Sequence, residues 1–160
     1  MNFLKAHKKI VICGVILLIV LGSIAFMQHN ARVTYEERMD LLSELENKPT
    51  EQLFLSIRSF ARDEVIYELS SEQWEELFYQ LHQIEYNGKM WDDYLGEYVI
   101  PENNGYRVFI SYERENAPKD EWSLWMADDS SLNCLGAGID NVSIKENAEL
   151  MQYLGSLFEN

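Results

Sequence analysis

Few side chains in this sequence belong to the types that do covalent chemistry, and their spacing brings none of them together. Nucleophilic catalysis sets a serine, cysteine or similar group beside a base, most often histidine. Beyond residue 27 the histidines are His29 and His82. His82 lies between Leu81 and Gln83, off the apolar stripe of a helix, so a solvated imidazole is the expectation. Cys134 is followed by Leu135, Gly136 and Ala137. That surround suits a small buried thiol, whereas a reactive thiolate needs an electropositive, partly open one.

Metal and cofactor chemistry lack a framework too. There is no C-x-x-C, no H-x-x-x-H and no calcium-loop alternation of oxygen ligands, so neither metal nor cofactor is expected. Asp92-Asp93 and Asp128-Asp129 fall in turn-like stretches, where aspartate serves local hydrogen bonding. Gly136-Ala137-Gly138 lacks the third glycine and the following helix of a dinucleotide loop. Two carboxylates at the right separation hydrolyse glycosides, but 27 acidic residues give no basis for choosing a pair. The sequence reads as a non-catalytic binding module, with a small carboxylate-dependent hydrolase as the alternative.

The sharper constellation is one of recognition. Tyr106–Glu113 and Glu121–Ala127 alternate with a period of two, as half-buried strands do. Paired antiparallel with Glu113 opposite Glu121, they put Tyr112 with Trp122, Ile110 with Leu124 and Val108 with Met126 on one apolar face. The other face then pairs Ser111 with Ser123, Phe109 with Trp125 and Arg107 with Ala127. Directly opposed side chains lie about 4.5–5.5 Å apart at Cβ, so Phe109 and Trp125 are expected to touch. Two large aromatics and Arg107 among serines have the composition of an interaction surface. The competing expectation, favoured because domains seldom leave large aromatics bare, is that residues 34–60 fold over this face and bury the pair.

The elements that position these residues begin with Ile10–Met27, eighteen residues without a charge, preceded by Lys5, Lys8 and Lys9. As a helix it is about 27 Å long, close to the ~30 Å hydrocarbon core of a bilayer. Three lysines lie before it, while Arg32 and Arg38 lie a comparable distance beyond. The positive-inside rule therefore keeps residues 1–9 in the cytoplasm and the rest outside. Residues 10–27 act as signal anchor, 28–49 as a juxtamembrane helix or linker, and 50–160 as one extracytoplasmic domain. The alternative is secretion after cleavage near Ala25, with Ser23 and Ala25 as the small residues of the cleavage site. Against cleavage, the apolar run continues through Phe26 and Met27. Gly14 and Gly22 offer slight support for packing of the span within a larger membrane complex, as an accessory subunit.

The chain carries 27 acidic against 13 basic residues, a formal charge of −14. So negative a chain disfavours nucleic acid and anionic headgroups, and it leaves a protein or cell-wall partner, including a cationic one, as the expectation. An immunity or inhibitor protein against a cationic exported toxin is one version. Cys13 lies in the span and Cys134 stands alone beyond it, so no disulfide forms within the exported part. Disulfide-free export suggests a bacterial source.

Along the domain, Thr34 and Glu37 read as a capping box opening a short helix, with Tyr35, Met39, Leu42 and Leu45 as a stripe that packs on the domain. Lys48-Pro49 ends it. Leu53–Arg58 alternates as a strand, and Val65–Leu69 as a second. Ser70 with Gln73 caps a helix whose face is Trp74, Leu77, Phe78, Leu81 and Ile84, with Asn87-Gly88 as its stop. A strand at Tyr98–Ile100, a turn at Pro101–Gly105, the two strands above and a weak strand near Cys134–Val142 follow. A last helix runs from about Glu146 to Phe158. Hairpin-linked strands with few helices predict an α+β domain, a mainly antiparallel sheet with two packed helices on one face.

Overall fold

From Ile10 to Glu46 nothing stops a helix. The stretch has no proline, and each of its glycines, Gly14 and Gly22, costs only about 1 kcal/mol relative to alanine. In the computed structural model, which describes residues 2–90, 105–113, 119–127, 133–136 and 142–159, this stretch belongs to one helix, α1 (Asn2–Glu46). Thr34 therefore lies inside a helix rather than capping a new one, because Gln28–Val33 contains no residue able to interrupt it. The N-terminal part of α1 is long and apolar enough to cross a membrane, and its apolar window is not buried in the protein. The C-terminal part packs on the domain as its stripe predicts, with Leu42 and Leu45 fully buried and Tyr35 and Met39 against the core.

After Pro49 a single 3-10 turn (Thr50–Gln52) leads into β1 (Leu53–Ser59), the strand its alternation predicts. Residues 60–63 turn the chain into β2 (Glu64–Ile66), shorter than the expected Val65–Leu69. Asp63 closes that turn at φ 51°, a left-handed conformation that aspartate tolerates better than most side chains.

α2 (Ser71–His82) starts where its capping box says it should. Ser70 Oγ accepts from Gln73 N at 3.2 Å, and Gln73 Oε1 accepts from Ser70 N at 2.9 Å. Trp74, Leu77, Phe78 and Leu81 are its buried face. Its end differs from expectation. The carbonyl of Glu85 is taken by Lys145 N at 2.8 Å, so sheet pairing claims the backbone before Asn87-Gly88 is reached. That dipeptide belongs instead to β3 (Tyr86–Met90), where Gly88 takes φ 80° within an irregular pairing.

The remaining strands are β4 (Gly105–Tyr112), β5 (Asp120–Ala127), β6 (Cys134–Leu135) and β7 (Val142–Ile144), followed by α3 (Ala148–Ser156). The expected weak strand near Cys134–Val142 is thus two short ones. Asn147, one of the expected caps, accepts from Leu150 N at 3.0 Å and starts α3. Together the strands form a seven-stranded antiparallel sheet in the order β2-β1-β4-β5-β6-β7-β3, which with the helices makes the fold α+β. The expected strand at Tyr98–Ile100, the turn at Pro101–Asn104, Asp92-Asp93 and Asp128-Asp129 lie outside the described residues.

One face of this sheet is the core. It carries Leu55 and Ile57 from β1, Val108 and Ile110 from β4, and Trp122, Leu124 and Met126 from β5, all essentially inaccessible. Buried residues of α1, α2 and α3 join the same cluster. Tyr106 belongs to this face, and its hydroxyl lies so near Gly155 of α3 that an added Cβ there would sit 3.1 Å away. The described helices thus share one side of the sheet.

Candidate interaction surface

On the opposite face alternate residues of β1, β4 and β5 come together. β1 contributes Phe54, Ser56 and Arg58; β4 contributes Gly105, Arg107, Phe109 and Ser111; β5 contributes Glu121, Ser123 and Trp125. The pairing of β4 with β5 is shifted by two residues from the register expected above. Tyr112 faces Asp120, Phe109 faces Ser123, and Arg107 rather than Phe109 faces Trp125. A two-residue slip keeps each side chain on its own face. It also removes the Glu113–Glu121 opposition, a like-charge pair that destabilises a ladder. Glu121 faces Ser111 instead, and Glu113 takes Lys119 at 3.4 Å.

The shift puts Arg107 at the centre. Its guanidinium carbon lies 4.8 Å from the Trp125 ring centroid and 6.0 Å from that of Phe109, within range of cation–π attraction to both. Across the other ladder it faces Arg58. Arg58 is neutralised by Asp63 at 2.7 Å and lies 5.7 Å from the Phe60 ring centroid. Arg107 has no ion pair among the described residues, and its Nε is buried without a hydrogen-bond acceptor there.

Phe60 reaches Trp125 for a reason written in the backbone. Phe60 N donates to Gly105 O at 3.0 Å, which continues the β1–β4 ladder one step past Ser59. Gly105 has no side chain to fill its place on this face. The Phe60 ring therefore stacks on Trp125 beyond it, centroids 5.6 Å apart and planes 14° from parallel. At the other end Phe109 meets Phe54 edge-on at 6.2 Å, and Phe54 meets Tyr67 at 6.3 Å. The result is an aromatic tract running Tyr67, Phe54, Phe109, then Arg107, then Trp125 and Phe60. Phe54 and Tyr67 are 54% and 59% exposed, while Arg107, Phe109 and Trp125 are half-buried.

Residues 34–60 do not fold over this face as a unit. Residues 34–46 lie in α1 on the core side, and 53–59 are in the plane of the sheet as β1. Within that stretch the tract gains Phe54, Arg58 and Phe60. Their signal was the alternation of β1, which marks Phe54 and Arg58 as the face away from the core. Which strand lies beside them is not in that pattern.

The other chemistry-bearing residues are dispersed. His82 is half-buried rather than solvated, because α2 ends beside α1 and its Nε2 lies 2.8 Å from Glu46 Oε2. Cys134 is a buried thiol, opposite Trp125 in the ladder. Ser123 Oγ donates to Gly136 O at 2.5 Å, closing the β6 end of the face. Among the described residues no three metal-ligating side chains gather. Glu85, whose Lys145 partner holds its carboxyl below the ordinary range, is a well-solvated ion pair at 2.5 Å. A general acid needs the opposite displacement. No protein-family model matches this sequence, and neither a curated protein nor a solved structure matches it.

Proposed function

We propose that this protein is a membrane-anchored, extracytoplasmic binding module that captures a protein partner on the Arg107–Phe109–Trp125 face of its sheet. The observation that carries the reading is that all described helices share the other face, which leaves an arginine, unpaired among the described residues, between exposed and half-buried aromatics. Aromatic residues and arginine dominate interface hot spots because they bury much area with few rotamers and bind carboxylates directionally. The fitting occupant presents a carboxylate to Arg107 and apolar side chains to Phe54, Phe109 and Trp125. A chain charge of −14 adds long-range steering toward a partner that is positive overall, as an inhibitor or immunity protein would need. Because α1 packs on the core side, the aromatic face looks away from the anchor helix, where a membrane-bound or soluble partner can approach.

The test is site-specific photocrosslinking of the full chain in its native membrane, with the crosslinker at Phe54. A defined adduct that disappears with Arg107→Glu and survives Tyr79→Ser, an exposed aromatic on α2, supports the surface. Adducts indifferent to Arg107→Glu refute it.

A further inference from the structure

Among the described residues, α1 meets the domain immediately after the apolar run. Tyr86 Oη of β3 donates to the carbonyl of Gln28 at 3.4 Å, one residue past Met27. The Tyr86 ring stacks on Tyr35 at 5.6 Å, and Tyr35 Oη donates to Ile84 O at 2.6 Å. Ala31, one turn beyond Gln28, is already fully buried. The helix is unbroken across this junction, so span and domain are joined without a linker.

Distances along a helix then fix a height. A headgroup layer occupies about 5–8 Å on each side of the hydrocarbon core. Five residues from Gln28 to Arg32 rise about 7.5 Å and fill that layer. We infer that the Gln28–Arg32 turn and Tyr86 form a membrane-contacting rim, with Tyr86 in the lipid headgroup layer and Arg32 beside the lipid phosphates. The inference rests on the reading of residues 10–27 as a membrane span.

The chemistry of the rim fits that partner. Tyrosine concentrates at membrane interfaces because its ring is apolar and its hydroxyl polar. Arg32 is 70% exposed and held at 2.9 Å by Glu36, with a stem long enough to follow the surface. It lies near enough to Tyr86 that its charge opposes the rise that burial imposes on the phenol's pKa. His29 and Asn30 are exposed on the same turn. The partner is a phospholipid surface, and its effect is to fix the height and tilt of the aromatic face.

The full chain, with both native cysteines replaced, is reconstituted in phosphatidylcholine nanodiscs and spin-labelled at one new cysteine at a time. Relative accessibility to oxygen and to a water-soluble nickel complex gives depth. Leu18→Cys is expected to be oxygen-rich, Asp40→Cys nickel-rich, and Asn87→Cys intermediate and equal to the interfacial reference His29→Cys. A label at Asn87 as nickel-accessible as that at Asp40 overturns the rim while leaving the span intact. A label at Leu18 that is not oxygen-rich removes the span, and the rim with it. Glu85→Cys, also exposed, supplies the reading if Asn87→Cys does not fold.

Discussion

Two tryptophans three residues apart on β5 point to opposite sides of the sheet, and replacing each by serine separates core from surface. Trp122 is fully buried. Truncating such a side chain costs about 3–5 kcal/mol through lost transfer energy and the cavity left behind. The serine hydroxyl that replaces it is buried in the same apolar surround, so a cost within that range is expected. Among its contacts, Trp125 stacks on Phe60 and takes the Arg107 guanidinium. An aromatic pair contributes about 0.5–1.5 kcal/mol and a partly exposed cation–π contact about 0.5–1 kcal/mol. These two contacts account for about 1–2.5 kcal/mol, and the part of the ring withdrawn from water adds to it. Trp125→Ser should therefore cost less than Trp122→Ser but a measurable share of the about 5–15 kcal/mol that holds a domain. Urea unfolding of the full chain in detergent micelles, followed by circular dichroism, measures both. Binding should rank them the other way. Trp125→Ser is expected to weaken the partner by a hot-spot amount of about 2 kcal/mol, near thirtyfold, while the folded fraction of Trp122→Ser binds normally. Equal destabilisation by the two substitutions would refute the assignment of Trp125 to a surface.

Other consequences are local. Ser70→Ala removes one half of the α2 capping box and should lower stability by about 1 kcal/mol, read as a shift in the urea midpoint. Phe60→Ala uncovers Trp125 through the gap at Gly105, so tryptophan emission should shift to the red with about 1–2 kcal/mol lost; unchanged emission contradicts the stack. Tyr153 donates to Gln73 O at 2.7 Å, tying α3 to α2, and burial raises its pKa to about 12 from an ordinary 10.0. The folded state thus holds this proton more tightly than the unfolded chain does. The associated stability is fully present below pH 10.0, declines as pH rises toward about 12, and is absent in Tyr153→Phe. Alkaline titration of the two proteins should show a steeper loss in the parent.

Whatever depends on neighbours a few residues away could be read from the chain alone. The charge-free length of Ile10–Met27, the Ser70 capping box and the two-residue alternation of β1, β4 and β5 are local patterns; the first two yield helix and helix start, and the alternation yields strands with their buried face. Arg107, Phe109 and Trp125 were legible as one face for that reason. Tertiary structure decided how the faces are assembled. A one-residue slip of β4 on β5 would turn every side chain over, but a two-residue slip leaves the hydrophobic pattern unchanged, so the pattern could not choose between registers. The register adopted avoids the Glu113–Glu121 opposition and leaves Glu113 beside Lys119. In the same way Lys145, 60 residues away along the chain, took the Glu85 carbonyl and ended the order of α2 before its glycine. Phe60 became part of the surface because β1 lies beside a strand that has Gly105 at the facing position. Distant backbone groups compete for the same hydrogen bonds and the same space, and no stretch of the chain records that competition in its own residues.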